Sequence, residues 1–317
     1  FLNEVCTHIA DIDYNAIILY PGGYDDMVQA KGQVRGKIEQ ENAERAKKIT
    51  QLQEFVAKFA AGTRSSQVQS RKKQIERLTL TDLKRSNIER PFIQFKVKKP
   101  SSKQTLSLDG VTKIWPECTV CDGLRAVITK GEKIAVIGKS GVGKTTLCKM
   151  LMQELQPDAG KIEWGTGTTL GYLAQDHRAD IPDGTTVANY LHSFAPTADL
   201  QTVRGLLGRM LFKGEEGNKP TAALSGGEAV RLIFSKLMLM EDNVLILDEP
   251  TNHLDLESIR WLEHFLTDEF RGLLVCVSHD RHFLNVVATH IADVDYRTIT
   301  VYTSCYDDFV AQKYEHK

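Results

Sequence analysis

Gly138-Lys139-Ser140-Gly141-Val142-Gly143-Lys144-Thr145 is the stretch that decides the fold. It has the glycine, lysine and hydroxyl spacing of a phosphate-binding loop. Just upstream, Lys133–Ile137 reads as a short buried strand. Just downstream, Thr146–Leu155 reads as a helix. Strand, glycine-rich turn and helix is the context that this chemistry needs. The glycines let backbone N–H groups close around phosphate oxygens, and the helix N-terminus adds the positive end of its dipole. Gly138, Ser140, Gly141, Gly143 and Thr146 are therefore expected to line the phosphates of a nucleotide. Lys144 should reach the β- and γ-phosphates, and the Thr145 hydroxyl should bind Mg²⁺.

Working outward, Val244-Leu245-Ile246-Leu247-Asp248-Glu249 reads as a buried parallel strand with two carboxylates at its C-terminal end. Ligands of open α/β sheets bind at that end. Asp248 is placed for Mg²⁺ and Glu249 for polarising an attacking water. The plain alternative is a surface Asp-Glu pair closing a strand. Between the two motifs lies Leu224-Ser225-Gly226-Gly227-Glu228, which opens a helix running to about Met240. By itself that stretch reads equally as a simple N-cap. Its order and spacing with the other motifs give it more weight.

Taken together, these motifs resemble the ATP-binding-cassette (ABC) ATPase family over residues 104–317. Three further stretches fit that resemblance. Gln175, in Tyr172-Leu173-Ala174-Gln175-Asp176, is similar to the family's glutamine-loop residue, a ligand of the metal and of the catalytic centre. Asn252-His253-Leu254-Asp255 stands where the D-loop does. Ser278-His279-Asp280 follows an apolar strand, and His279 resembles the switch histidine that touches the γ-phosphate. Trp115 occupies roughly the place of the adenine-stacking aromatic, and a core residue is the competing reading. The resemblance implies ATP and Mg²⁺ as ligands, with Lys144, Gln175, Glu249 and His279 in catalysis. It also implies that Ser225, Gly226 and Gly227 face a nucleotide held by a second cassette.

An internal repeat suggests where that second cassette belongs. Residues 1–28 and 283–310 are identical at 17 of 28 positions without a gap. The second copy closes the domain that begins near residue 104. The first copy is accordingly expected to be the tail of an equivalent domain, and the chain to be truncated at its N-terminus. The expected organisation is 1–28 as the tail of a first cassette, 29–103 as a linker and 104–317 as the second cassette.

The linker carries the charge that the overall balance conceals. The net charge of the chain is −1, but residues 29–103 hold 19 basic against 7 acidic residues, a net of +12. The remainder is correspondingly acidic. Apolar residues at Val34, Ile38, Ile49, Leu52, Val56 and Phe59 recur at helical spacing. After the turn cluster Gly62–Ser66 comes a second helical pattern with Val68, Ile75, Leu78 and Leu83 inward and Arg71, Lys72, Lys73, Arg77, Lys84 and Arg85 outward. It is expected to end at Arg90-Pro91. This is an αα-hairpin whose tip is Thr63–Arg71. A cationic arm attracts polyanions, nucleic acid first among them; a solvated helical linker is the bland reading.

At 42% hydrophobic and 26% charged, the composition is that of a globular protein and excludes a disordered or collagen-like chain. No apolar run reaches the ~18–20 residues of a membrane span. Six cysteines in 317 residues are too sparse for a disulfide scaffold, so a reducing, cytoplasmic setting is expected. Cys118 and Cys121 have zinc-knuckle spacing without a second pair, and Cys148, Met238 and Met240 read as core. Two cassettes joined by a basic helical linker resemble the ABC-F subfamily, whose members act on the ribosome. The resemblance implies an arm directed toward tRNA or rRNA. Two rivals are a cassette energising a separate membrane transporter and a DNA-repair ATPase. The fold class expected is α/β: a mostly parallel core sheet, an antiparallel β part near 106–120 and a helical subdomain near 186–240, preceded by the helical hairpin.

Overall fold

The computed structural model describes residues 2–13, 15–59, 65–78, 91–116, 118–252, 254–295 and 298–315. They fall into two compact units, Phe1–Glu89 and Arg90–Lys317.

In the first unit, α1 (Leu2–Val5) leads into an antiparallel hairpin of β1 (His8–Asp13) and β2 (Ala16–Pro21). The long helix α2 (Tyr24–Phe59) follows, and α3 (Ser65–Arg77) packs against it. The first helix of the expected arm is thus present and begins inside the repeat. Ser65 and Ser66 are helical, where the sequence suggested a turn. At 1.5 Å per residue α2 is ~54 Å long and α3 only ~20 Å, so α3 can cover just part of its partner. This accounts for Leu52 being buried while Val34, expected inward, is exposed. Thr63, Arg64, Leu83, Lys84, Arg85 and the expected end at Arg90 lie outside the described residues.

The second unit opens with Ile93 and Phe95, both buried in its core. Residues 91–103, grouped with the linker from sequence, therefore belong to this packed unit. The antiparallel pair β3 (Gln104–Trp115) and β4 (Cys118–Thr129) comes next, then β5 (Lys133–Ile137) and α4 (Lys144–Leu151). β6 (Ala159–Trp164) completes the antiparallel sheet in the order β4-β3-β6. After β7 (Leu170–Leu173) the chain forms the helical part, α5 (Val187–Ser193), α6 (Leu200–Arg209) and α7 (Gly226–Met240). It returns through β8 (Val244–Asp248), α8 (Leu256–His264), β9 (Leu273–Val277), α9 (Arg281–Val287), β10 (His290–Asp295), β11 (Thr298–Tyr302) and α10 (Tyr306–Glu315).

The central sheet has the order β11-β10-β5-β9-β8-β7, parallel except for the edge strand β11. Its alternation divides the core. Ile246, Val275 and Val136 pack with Leu147, Cys148 and Leu151 of α4 on one face. Leu245, Leu247 and Leu274 pack with Leu232 and Phe234 of α7 and Phe283 of α9 on the other. Both faces are covered, which is why β8 and β9 read as unbroken apolar runs. Cys148 and Met238 are buried as expected, whereas Met240, the last residue of α7, is 41% exposed.

The sequence repeat is also a structural repeat. Asn3 and Asp25 exchange two hydrogen bonds at 2.7 and 3.0 Å, and Asn285 and Asp307 do the same at 2.7 and 2.9 Å. Lys31 bridges Asp11 and Asp13; Lys313 bridges Asp293 and Asp295. The surroundings differ. β10 pairs in parallel with β5, and Val294 and Ile299 are 2% and 8% exposed. Among the described residues β1 pairs only with β2, and the equivalent Ile12 and Ile17 are 67% and 70% exposed.

Candidate nucleotide site

The parallel strands β5, β8 and β9 end side by side, and their C-terminal ends present the predicted residues. After β5 the loop turns through Gly138 and Gly143, at φ +155° and +106°. A Cβ at Gly138 would stand 2.8 Å from the Val294 carbonyl oxygen, and one at Gly143 2.5 Å from the Val120 side chain. Only glycine fits these two places. Lys139, Ser140 and Gly141 are exposed, so the loop presents its backbone outward. Lys144 is buried, and its Nζ donates to the carbonyls of Gly138 (2.9 Å) and Lys139 (3.1 Å), which closes the loop on itself.

Thr145 stands one residue into α4. Its hydroxyl donates to Asp248 Oδ2 at 2.8 Å and lies 3.4 Å from Gln175 Oε1, in the loop after β7. Three residues from three distant stretches thus converge. Asp248 is 1% exposed, and burial pushes its carboxyl above the ordinary aspartate value. The Thr145 hydrogen bond and the Lys144 charge oppose that rise. Hydroxyl, carboxylate and amide oxygen form the donor set of a hard cation such as Mg²⁺.

Glu249 follows directly after the C-terminal end of β8 with φ +56°, a left-handed conformation that costs a non-glycine residue roughly 1 kcal/mol. Its N–H donates to Val277 O at 2.8 Å, which holds the turn against the end of β9. The next residues of that strand supply His279, with Nε2 3.3 Å from Glu249 Oε1 and its backbone N–H donating to Oε2 at 3.3 Å. Glu249 is 5% exposed; burial raises its carboxyl, the His279 contacts pull it back, and Asp248 pushes it up again. A buried carboxylate with a raised affinity for protons suits proton abstraction from water. Asp255 and Asp280, in the stretches after Glu249 and His279, cap α8 and α9 through hydrogen bonds to the N–H groups of Ser258 and of His282 and Phe283. His253 lies outside the described residues.

Ser225, Gly226 and Gly227 stand at the start of α7. Ser225 caps α7: its Oγ accepts from the Glu228 N–H at 3.3 Å, and its own N–H donates to Glu228 Oε2 at 2.7 Å. Glu228 is fixed in turn by Lys219 Nζ at 2.8 and 2.9 Å. Ser225 and Gly226 remain exposed, so the helix start is open to a ligand from outside the unit. Thr146 is half-buried in the first turn of α4. Trp115 is 43% exposed at the end of β3, with Lys113 Nζ 5.1 Å from its ring centroid, a surface aromatic and not a core residue. It pairs with Cys118, two residues from the Val120 that touches Gly143. Sequence reading missed the contact of Lys219 with Glu228 and the contacts of Arg178, because neither Lys219 nor Arg178 belongs to a motif.

Parallel strands, a glycine loop on a helix N-terminus and paired carboxylates at the strand ends define a P-loop nucleotide-binding domain of the ATPase class. Residues 121–252 match a family described as ABC transporter, and residues 10–95 match a second family with the same description. The chain belongs to the ABC ATPases, and the relatives it is similar to include F family members of the ABC transporters. It is 40% identical over 315 residues to the probable ATP-binding protein YbiT of Escherichia coli O157:H7, covering 99% of this chain and 59% of that one. Identity to ABC transporter F family member 5 of Arabidopsis thaliana is 29%, over 98% of this chain and 45% of that one. This chain thus spans about half the length of the curated relatives it matches. In fold it is similar to CbiO1 of Clostridium perfringens, at TM-score 0.53 and 21% identity over 67% of this chain and 92% of that one. Among the described residues no helix is long and apolar enough to cross a membrane.

Proposed function

We propose that this chain binds and hydrolyses ATP with Mg²⁺ and works in the cytoplasm on the ribosome, with its basic arm directed toward tRNA or rRNA. The observation that carries the reading is the meeting of Thr145, Asp248 and Gln175 oxygens beside the loop closed by Lys144. Thr145, Asp248 and Gln175 would hold Mg²⁺, which when bound neutralises charge on the phosphate oxygens. The backbone of Gly138–Thr146 grips the phosphates. Lys144 exchanges its carbonyl partners for phosphate oxygens, so the ground-state hydrogen bonds hold the lysine in place until nucleotide arrives. Glu249 takes a proton from the attacking water, and His279 keeps that carboxylate aimed. Trp115, exposed near the loop, is available to stack on adenine.

Ser225–Gly227 then serve a nucleotide bound by a facing cassette. In this reading residues 1–28 are the tail of the first cassette, 29–103 the linker, whose last stretch, 91–103, packs with the second unit, and 104–317 the second cassette. The bare Ile12–Ile17 face of the first repeat supports it, since the equivalent Val294 and Ile299 of the second repeat are packed into a core cluster of their unit. One copy alone lacks a facing loop, so its turnover should be slow and should rise with protein concentration as copies pair. For the arm, the net charge of +12 is the support. Co-sedimentation with ribosomes, with ATP or ADP and at two salt concentrations, tests the whole reading. More protein should pellet with ATP, and high salt should release it. Pelleting that ignores both nucleotide and salt would overturn the ribosomal part. Brisk turnover independent of concentration would overturn the pairing.

A further inference from the structure

Arg178 lies three residues beyond Gln175, on the surface, and its guanidinium reaches across to a distant stretch of chain. Nη1 donates to the Thr221 carbonyl at 2.9 Å and Nη2 to the Ala222 carbonyl at 2.6 Å. The backbone N–H of Arg178 donates to Asp176 Oδ1 at 3.1 Å, which shapes the turn between Gln175 and the arginine. At the far side, Leu224 N–H donates to Thr221 O at 3.2 Å, and Ser225 follows as the cap of α7. One short path thus runs from the Thr145–Asp248–Gln175 cluster to Ser225–Gly227.

We propose that Arg178 is a positioning residue that couples the nucleotide cluster at Gln175 to the orientation of the Ser225–Gly227 helix start. The proposal rests on the nucleotide reading above. Two parallel N–H donors from one planar group fix direction as well as distance, which a single hydrogen bond cannot. A displacement of Gln175 on metal and phosphate binding would pull the Thr221–Ala222 turn with it and re-aim the N–H groups at the start of α7. The turn has other anchors: Thr221 is wholly buried, its hydroxyl donates to Pro182 O at 2.7 Å and its N–H to Thr185 O at 2.9 Å. These keep the turn folded when the arginine is removed, so Arg178→Ala is a usable variant.

Backbone hydrogen exchange on the whole chain tests this. Mg²⁺ and a non-hydrolysable ATP analogue are added at a protein concentration where light scattering shows single copies. In the parent chain, exchange should slow at 138–146 and also at 221–228. In Arg178→Ala the slowing at 138–146 should persist and that at 221–228 should be lost. Arg178→Lys, which can keep one of the two bonds, should recover part of it. Slowing at 221–228 that survives in Arg178→Ala overturns the coupling, even if exchange there is faster without nucleotide, because that pattern marks a merely structural contact. Slowing confined to 138–146 in the parent chain overturns it too. No slowing at 138–146 in the parent chain overturns the nucleotide reading itself, and the coupling with it.

Discussion

His279 holds Glu249 by two contacts, its ring Nε2 3.3 Å from Oε1 and its backbone N–H donating to Oε2 at 3.3 Å. Neighbouring strand ends create the arrangement, since Asp248 at the end of β8 is registered against Val277 at the end of β9. Glu249→Gln keeps the shape and removes the proton acceptor. Turnover should fall by about 10²–10⁴-fold, the usual worth of a general base, while nucleotide affinity changes little. His279→Ala removes a contact that lowers the Glu249 value, so the acid limb of kcat/KM should move to higher pH. A phosphate-release assay over pH 5–9 checks both. An acid limb that does not move in His279→Ala would separate the histidine from the base.

Asp248 makes the opposite trade, function against stability. Its folded-state carboxyl is raised, chiefly by burial, above the unfolded value of ~3.9. Between those two values the folded chain binds more protons than the unfolded one, so stability falls as pH rises through that window. At neutral pH the ionised group is a standing cost. Asp248→Asn should therefore stabilise the nucleotide-free chain at pH 7 by about 0.5–2 kcal/mol. The gain should shrink as pH drops toward the ordinary carboxylate range. Urea denaturation at pH 7 and pH 4 measures it, and the same variant should lose the Mg²⁺-dependent part of nucleotide binding.

What could be read from the residues alone was whatever is local or covered on both sides. The Gly138–Thr145 loop is a contiguous pattern, and Val244–Leu247 is unbroken because sheet faces on both sides are packed. Residues that act across the chain were harder. Arg178 reaches main-chain carbonyls 43 and 44 residues away, and carbonyls leave no trace in residue type. Lys31 was hidden inside a basic run, although its match to Lys313 at the repeat offset was there to be found. Val34 and Met240 were misplaced because helical periodicity marks a stripe without saying how far a partner covers it.

The repeated lysine bridges give a paired stability test. Asp13 is fully buried, and Lys31, which reaches both it and Asp11, is 24% exposed. Burial lowers the Lys31 value, but the hydrogen bonds it donates to Asp11 and Asp13, with their charges, outweigh burial and leave it well above the usual lysine range. Lys313 shows the same balance with Asp293 and Asp295. A raised lysine contributes fully below its unfolded value of ~10.4 and loses that contribution only as pH rises through the folded one. Lys31→Met should cost about 1–3 kcal/mol, less than a wholly buried pair because solvent reaches the lysine. The cost should be level from pH 6 to 9. Adding Asp13→Asn should recover part of it, and strictly additive costs in the double-mutant cycle would mean the bridge contributes nothing.

The arm yields the most direct electrostatic test. Arg71, Lys72 and Lys73 are exposed on α3, consecutive in a helix whose acidic residues are few. If they meet RNA phosphates, each contact releases counterions, and log K against log salt steepens by ~0.7–0.9 per phosphate. Replacing all three by Ala should flatten that slope by about 2–3 and weaken binding about equally for unrelated RNA sequences. Filter binding of the chain to a structured RNA at several salt concentrations measures the slope, with Lys161→Ala, on the second unit, as the control. An unchanged slope in the triple variant would move the contact off α3. A flattened slope that also changed sequence preference would mean these side chains read bases as well as phosphates.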